Sequence, residues 1–421
     1  MEKNNEIKNI LFIGLLYDIR DEEKLISENK KGVGLASNLL QTNFIKSIQK
    51  SDKLKINVIG SLPVGNFPFY SEKVYYKSHE YYINNTLVKL VRTLNLPFLK
   101  HTVRYYELKI MVKYWLKEND YKGIIIFYDF YKPFLKLTNW IRSKKYAEVK
   151  TIGIIPDLIG NLRNETNTYN LFKKIDYRKN NKRLEDMNKQ DGLIGVSSLM
   201  RDDIFNNKFF LEINGIVNDE IKQKKSSISS EIKEKNINYM YAGNLSKQYN
   251  VDKMIVEFIE ADIEGSLLFI CGSGELSMWI KEKSKENRNI KYLGILPKKK
   301  VDELSIRIDV MINPRPSTGE YTKYSFPSKN LEYLLQSKPI ICFKLPPFKN
   351  KFDEVFDYFD ESLDKPFLNK FIEYSLKTKE ELLKKGEFNY EFVKSNFGLS
   401  SSADKLEKFL INLADDNTEN N

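Results

Sequence analysis

Residues 309–343, DVMINPRPSTGEYTKYSFPSKNLEYLLQSKPIICF, contain one strand–helix–strand unit. An apolar run, DVMINP, leads into a polar loop, a helical segment opens around SFPS, and a second apolar run, PIICF, closes the stretch. Short β-rich runs that alternate with helical patterns are typical of βαβ units and parallel sheets. The stretch therefore predicts an α/β fold, with its polar loop at the sheet edge where such folds bind ligands.

The same alternation extends through both halves of the chain. The predicted strands are NILFIGLL, KINVIGS, GIIIFYDF, TIGIIP and GLIGVS in the first half, and INYMYAG, SLLFICG, IKYLGI, DVMINP and PIICFK in the second. A charged stretch with almost no apolar content separates the halves and is typical of a linker. We predict an N-terminal Rossmann-like domain at 1–217, a linker at 218–236, a second Rossmann-like domain at 237–395, and at 396–421 a C-terminal helix that packs back on the first domain, followed by a frayed tail.

Composition indicates a globular protein. The chain has 421 residues, 41% of them hydrophobic, and a formal net charge of +11. No apolar run approaches the roughly 20 residues of a membrane helix, and the N-terminal run lacks the cleavage site of a signal peptide. Cys271 and Cys342 lie in strand-like apolar runs, where buried thiols are expected. These features favour the cytoplasm.

The positive charge is concentrated at residues 86–117, which hold seven Lys/Arg and a single acidic residue, Glu107. Apolar side chains recur there at helical spacing, which predicts two basic amphipathic segments broken at Pro97. Two interpretations stay open. Both segments could be helices that pack on the core with a solvated basic face, or the basic face could lie on the anionic inner surface of the plasma membrane. No nucleic-acid-binding motif accompanies the charge, so we expect no nucleic-acid partner.

In the first half, two loops are candidates for ligand binding. Gly32 and Gly34 lie between the first strand and a helix, where small residues let backbone N–H groups approach an anion or an acceptor. Turn geometry alone would explain them equally well. Asp157 ends the fourth strand, where its carboxylate could accept a proton or a sugar hydroxyl, or could cap a turn.

In the second half, glycines follow two predicted strands. Gly243 ends one strand, with Lys247 nearby, and Gly272 and Gly274 end the next. Neither turn has the G-x-G-x-x-G spacing of dinucleotide-binding domains, and the chain has no P-loop. The sequence also has no Asp-any-Asp motif and only two histidines. We therefore expect no cofactor and no metal.

The polar loop of residues 309–343 is the strongest candidate site. Arg315, Lys323 and Lys329 surround a helix start with the hydroxyl of Ser325, and cations at a helix N-terminus suit a diphosphate. Glu332 lies one turn further on, where a carboxylate can bind the two hydroxyls of a ribose. A surface ion pair between Lys329 and Glu332 is the simpler alternative.

With these residues in view, the sequence resembles the retaining GT-B fold enzymes of glycosyltransferase family four that build bacterial surface polysaccharides. The resemblance is most specific from Tyr241 to Phe343. It implies two Rossmann-like domains facing a central cleft. In that family the glycine turns, including Gly294 of KYLGIL, hold the base and phosphates of the donor, and the glutamate at the position of Glu332 holds the ribose.

The chain departs from the family pattern at several positions. Tyr324 stands where many members have a first glutamate, and Glu320 lies four positions early. Asn244 and Tyr249 replace a common Arg and Lys, and Asp157 stands where histidine is frequent.

The resemblance implies transfer of a hexosyl group from a nucleotide diphosphate sugar, with UDP favoured, to a glycan or lipid-linked acceptor. Asp157, Arg315 and Lys323 are its predicted catalytic residues. The predicted donor-binding residues are Gly243, Lys247, Gly272, Gly274, Gly294, Tyr324, Ser325, Lys329 and Glu332. The alternative is a catalytically inactive GT-B module that binds a partner glycosyltransferase or a glycan.

Overall fold

The computed structural model describes residues 7–29, 33–157, 182–220 and 236–416. The chain divides into two compact units. Unit 1 comprises the described residues of Met1–Asn218 together with Tyr324–Phe326 and Leu399–Asn421, and unit 2 comprises those of Asp219–Lys323 and Pro327–Gly398. Most of the predicted linker, the predicted tail from 417 onward, and Gly32 lie outside the described residues.

Unit 1 is built on an eight-stranded sheet in the order β10-β9-β8-β7-β1-β2-β5-β4. Its neighbours pair in parallel except β4 and β5, and β3 and β6 form a separate antiparallel ladder. The strands are β1 (Lys8–Leu15), β2 (Leu54–Ser61), β3 (Tyr75–Tyr76), β4 (His79–Ile83), β5 (Thr86–Leu90), β6 (Thr93–Leu94), β7 (Gly123–Tyr128), β8 (Val149–Ile155), β9 (Gly192–Gly195) and β10 (Phe210–Glu212). The strand order reverses between β1 and β7, and ligands of doubly wound sheets bind at such a reversal.

Helices cover both faces of this sheet. They are α1 (Glu22–Glu28), α2 (Leu35–Ile48), α3 (Leu99–Glu118), α4 (Lys132–Ser143), α5 (182–188) and α6 (Ser198–Asp203). Alternate residues of β1 point to opposite faces, as the two-residue period of a strand requires. Ile10 and Phe12 pack in one buried cluster and Leu11 and Ile13 in another, the latter with side chains of α3 and α4.

Unit 2 is a six-stranded parallel sheet in the order β13-β12-β11-β14-β15-β16. The strands are β11 (Asn238–Asn244), β12 (Leu267–Ser273), β13 (Ile290–Tyr292), β14 (Val310–Asn313), β15 (Ile340–Cys342) and β16 (Phe356–Tyr358). The helices are α7 (Val251–Ala261), α8 (Ser277–Glu286), α9 (Lys298–Ser305), α10 (Ser328–Leu335), α11 (Pro366–Ser375) and α12 (Lys379–Phe397). The strand order reverses between β11 and β14, which places the loop before α10 beside the end of β11.

The last helix, α13 (Leu399–Asp415), belongs to unit 1. Its Leu406 and Leu410 are fully buried in the same cluster as Ile10 and Phe12. At its surface, Glu407 accepts a 2.6 Å hydrogen bond from Ser51 Oγ. The helix begins at Leu399, so Ser400, Ser401 and Ser402 lie in its first turn.

All ten predicted strands are present, but the prediction for residues 86–96 is wrong. This segment was expected to be helical, whereas Thr86–Leu90 and Thr93–Leu94 are strands and only α3 is a helix. The pattern TLVKL buries Val88 and Leu90 on one side, and β5 pairs antiparallel with β4. The ladder between them satisfies the backbone N–H and carbonyl groups that, in a helix, would have bonded within the segment itself.

Candidate functional site

Three predicted glycines meet at the carboxyl ends of adjacent strands in unit 2. Gly243 of β11 lies directly opposite Gly272 of β12, and the Gly272 N–H donates to the Gly294 carbonyl at 2.7 Å. Gly272 has φ +130°, and a Cβ there would lie 1.8 Å from the Gly243 oxygen. Glycine is therefore required at Gly272 for both conformation and space.

The next loops are held together by a side-chain hydrogen bond and a close backbone approach. Glu275 accepts a 2.9 Å hydrogen bond from the Lys247 backbone N–H, and a Cβ at Gly274 would lie 2.2 Å from the Leu245 oxygen. Lys247 itself is exposed. Gly274 thus keeps two strand-end turns close together, while the role of the Lys247 ammonium stays a prediction.

Lys329 lies in the first turn of α10 and reaches the end of β11. Its Nζ donates a 2.6 Å hydrogen bond to the carbonyl of Ala242, the residue before Gly243. Tyr333 Oη also contacts Ala242, at 3.1 Å from both the backbone N–H and the carbonyl. Burial lowers the pKa of Lys329, and the carboxylate of Glu332 partly opposes this shift. An ammonium group is thus held beside the glycine turns at the strand reversal.

Glu332 pairs with Lys298, a residue that the sequence prediction missed. Lys298 Nζ lies 3.6 Å from Glu332 Oε2 and 2.6 Å from Asp302 Oδ1. Burial opposes the charge of Lys298, but the two carboxylates outweigh it and raise its pKa. The simpler alternative, an ion pair between Glu332 and Lys329, does not form, because Lys329 bonds the strand carbonyl instead. The only sequence signal for Lys298 was the run PKKK after KYLGIL.

Arg315 follows β14 and lies against two aromatic rings. Its guanidinium carbon is 5.0 Å from the ring centroid of Tyr321 and 6.0 Å from that of Tyr249. Asn313 Oδ1 accepts from the Arg315 backbone N–H at 3.3 Å, and Asn313 Nδ2 donates to Asn330 at 2.7 Å. The ring of Tyr249 stands where the family resemblance expects a cation, and Arg315 places a cation over that ring.

The segment just before α10 differs from the prediction. Residues Glu320–Tyr324 form a short 3-10 turn, and α10 begins at Ser328 with Pro327 as its N-cap. Ser325 was predicted to open this helix, but it lies three residues before it and is buried. Lys323 is half-buried in unit 2.

Tyr324 and Ser325 are grouped with unit 1. There the Tyr324 hydroxyl donates to Asp203 Oδ2 at 2.9 Å. The cluster around Lys329 and Glu332 belongs to unit 2.

In unit 1, polar residues follow β1, β7 and β8 near the strand reversal. Gly34 is the N-cap of α2 with φ +68°, and Asn38 of α2 bonds the backbone N–H and carbonyl of Tyr17 just after β1, each at 3.1 Å. Asp157 is exposed two residues after β8. Gly34 and Asp157 therefore lie at the same edge of the sheet.

Asp129, which directly follows β7, is a second candidate that the sequence prediction missed. It has φ +67°, which is uncommon for a residue other than glycine, and its Oδ1 accepts from the Phe130 N–H at 2.6 Å. Desolvation and then the carboxylate of Asp157 raise the pKa of Asp129. Its signal was present in FYDF, where a carboxylate follows a buried strand as Asp157 does.

No protein-family model matches this chain, and no curated protein matches it in sequence. Solved structures do match. Sucrose-phosphate synthase from Thermosynechococcus elongatus aligns over 96% of this chain and 99% of its own, with a TM-score of 0.66 at 10% identity. The catalytic domain of Arabidopsis thaliana starch synthase IV aligns over 97% and 100%, with a TM-score of 0.60 at 10% identity. HepE from Anabaena aligns over 96% and 100%, with a TM-score of 0.59 at 12% identity. The chain has the GT-B fold of these proteins, with two Rossmann-like domains.

Proposed function

We propose that this protein is a retaining glycosyltransferase that moves a hexosyl group from a nucleotide diphosphate sugar to a glycan or lipid-linked acceptor. The observation that carries the proposal is the placement of Lys329 and Glu332 on α10, beside the glycine turns of β11 and β12. Similar folds have been solved with UDP and UDP-glucose, and with ADP and acarbose. UDP is the favoured nucleotide, and synthesis of a surface polysaccharide is the proposed role.

The donor is assigned to unit 2. The open space at Gly294, where nothing lies within 4 Å of an added Cβ, leaves room for the nucleotide beside Gly243 and Gly272. Glu332, held by Lys298, accepts hydrogen bonds from the ribose hydroxyls. When the bond between the anomeric carbon and the phosphate oxygen breaks, negative charge develops on the leaving diphosphate. Fixed cations at that position stabilise the transition state more than the ground state.

Lys329, Arg315 and Lys323 are the cations proposed for this role. Lys329 donates one N–H to the Ala242 carbonyl and has two further N–H groups for phosphate oxygens. Arg315 is oriented by the rings of Tyr249 and Tyr321. With three cations on the diphosphate, the reaction is proposed to proceed without a divalent metal.

The acceptor is assigned to unit 1. Asp157 and Asp129 follow neighbouring strands, and either carboxylate can hydrogen-bond an acceptor hydroxyl and orient it. The acceptor proton leaves as the new glycosidic bond forms, and the departing phosphate oxygen can take it. For a lipid-linked acceptor, the protein is proposed to work in the cytoplasm, at the inner face of the plasma membrane.

A second candidate, an inactive GT-B module that binds a partner glycosyltransferase or glycan, is favoured by Tyr324. This residue replaces a glutamate that is common in the resembled family, and its hydroxyl is committed to Asp203. A module of this kind would keep nucleotide affinity but lack transfer.

Thermal denaturation with a panel of nucleotides and nucleotide sugars tests the proposal, because a ligand that binds the native state raises the melting temperature. We expect UDP and one UDP-sugar to give the largest shifts. Transfer is then measured with excess chelator, and the anomeric configuration of the product is determined by NMR. Dependence on a divalent ion, or an inverted product, would overturn the mechanism, and nucleotide binding without hydrolysis or transfer would favour the inactive module.

A further inference from the structure

Helix α3 has an apolar outer face that no described element covers. Leu99, Tyr106, Ile110 and Tyr114 recur at steps of seven, four and four residues, which places them on one side of the helix. Their exposed fractions are 49%, 57%, 51% and 65%. Phe98, at the N-terminal end of α3, is 95% exposed. Large apolar side chains in such a continuous row usually mark an interaction surface.

The opposite side of α3 fixes the helix firmly to unit 1. Arg104 is buried and donates to the Leu62 carbonyl at 2.8 Å and to Tyr131 Oη at 2.5 Å. Lys100 is also buried and bonds the Val64 carbonyl and, at 3.1 Å, Asn66 Oδ1. The exposure of the outer face is therefore a property of a well-anchored helix.

Two cations of the predicted basic face, Lys100 and Arg104, point inward, while Lys113 and Lys117 are exposed beside the apolar row. Lys100 also ties the loop around Asn66 to the start of α3, and that loop carries Phe69, which is 68% exposed. The apolar surface thus continues beyond the helix at its N-terminal end.

Lysines flank the apolar row. Lys109 and Lys113 lie 4.8 and 5.9 Å from the ring centroid of Trp140 on α4, and Lys117 lies in the last turn of α3. Lys136 of α4 lies 6.0 Å from the ring of Tyr105. Within the described ranges, no carboxylate forms an ion pair with any of these four lysines. A membrane-surface helix has this composition, with apolar and aromatic side chains beside unpaired cations.

We propose that the outer face of α3, defined as Phe98, Leu99, Tyr106, Ile110 and Tyr114 with the flanking lysines, docks on an anionic lipid surface. The apolar side chains enter the headgroup boundary and the lysines contact lipid phosphates. A second copy of the chain fits less well, because it would present the same positive charge of Lys109, Lys113 and Lys117 in either orientation, whereas an anionic lipid surface complements that charge. The inference specifies the surface behind the proposed membrane location and does not depend on sugar transfer.

Vesicle flotation of the full chain tests the proposal. We expect at least tenfold tighter binding to phosphatidylcholine vesicles with about 30 mol % phosphatidylglycerol than to pure phosphatidylcholine, and weaker binding in high salt. The double variant Tyr106→Ser/Ile110→Ser should lose at least tenfold, and Lys113→Ala about fivefold. Leu376→Ser, at an 82% exposed leucine of unit 2, is the matched control and should bind like the unmodified protein.

Each variant is first checked for a cooperative thermal transition and for UDP affinity. If the unmodified protein does not bind anionic vesicles, or if the double variant binds them as tightly as the unmodified protein, the proposal is wrong. Light scattering, which measures the oligomeric state, is a second test. A dimer that Ile110→Ser dissociates would assign the face to a second copy of the chain and overturn lipid docking. If the unmodified protein does not bind UDP, that result contradicts the proposed function and leaves the vesicle result unaffected.

Discussion

Lys298 Nζ lies 3.6 Å from Glu332 Oε2 and 2.6 Å from Asp302 Oδ1, so a lysine of α9 links the carboxylate of α10 to its own helix. The side chains of Lys298 and Glu332 are each roughly 70% buried, at 27% and 31% exposure. At this depth the pair restrains the Glu332 carboxylate without removing it from solvent. A nucleotide that binds here meets a carboxylate already held in place.

Glu332→Gln should weaken UDP binding by about 1–3 kcal/mol, because it removes charge-assisted hydrogen bonds to the ribose and leaves the shape of the side chain unchanged. Isothermal titration calorimetry on the folded variant measures the change. Glu303→Gln, on the exposed surface of α9, is the matched control and should bind UDP normally. Unchanged affinity for the Glu332 variant would remove the ribose assignment.

Lys298→Met should weaken UDP binding by a smaller amount, about 0.2–1 kcal/mol, as expected for the loss of a partly exposed ion pair that positions Glu332. Lys298→Arg should recover part of the affinity, since the positive charge is retained. Lys300→Met, two residues along the same helix and paired with Glu303, is the control. In the Glu332→Gln background, Lys298→Met should have little further effect on UDP affinity. If the two losses of binding free energy are fully additive, Lys298 acts on the ligand independently of Glu332.

Gly272→Ala and Gly294→Ala form a matched pair of glycine substitutions. Both positions have positive φ, at +130° and +65°, but only Gly272 has a backbone oxygen 1.8 Å from the new Cβ, whereas nothing lies within 4 Å at Gly294. Gly294→Ala should cost roughly 1–2 kcal/mol for conformation alone. Gly272→Ala should cost about 3 kcal/mol or more, because β11 and β12 must separate. Urea denaturation measures both, and equal costs would contradict the close approach of the two strands.

His101 should make the stability of the protein depend on pH. Desolvation, then the charges of Arg104, Lys100, Lys132 and Lys136, lower its pKa from 6.5 to about 4. Between these values the unfolded chain binds a proton that the native protein does not. Above pH 6.5 the imidazole is neutral in both states and costs no stability. The free energy of unfolding therefore falls as pH falls from 6.5 toward 4.

Denaturant titrations across this pH range measure the slope. His101→Gln should flatten the decline, because the variant has no imidazole to protonate. His79→Gln, at the only other histidine of the chain, is the control for the loss of a histidine as such. A His101 variant with an unchanged slope would show that other groups cause the acid sensitivity.

The sequence was sufficient for ten strands of the two sheets, because each buried parallel strand is a compact apolar run between turn residues. It missed β4, β10 and β16, which lie at the edges of the sheets. It was not sufficient for residues 86–94. TLVKL satisfies a helical and a strand period equally well, and its pairing with β4 depends on the turn at Asn84, which has φ +49°. The secondary structure of this segment is therefore determined by its pairing with a neighbouring strand and not by its local sequence pattern.

Side-chain partners were the least predictable part of the candidate site. Lys329 and Glu332 were identified from their spacing, but Lys298 lies 34 residues away in a run of three lysines, and only the folded helix shows which lysine faces Glu332. Likewise, nothing local distinguishes buried Arg104 from the exposed lysines of α3. Its acceptor, the carbonyl of Leu62, lies 42 residues earlier in the chain.

The position of α13 has a consequence for synthesis of the protein. Leu406, Leu410 and Leu413 complete the core around Ile10 and Phe12, so β1 receives these packing partners only after some 400 further residues have been made. Unit 2 is continuous except for three residues and lacks this dependence. Although domains generally fold from the N-terminus during translation, here unit 2 is expected to reach its native state first. Until α13 emerges, the half-covered sheet of unit 1 is the part of the nascent chain that we expect chaperones to protect.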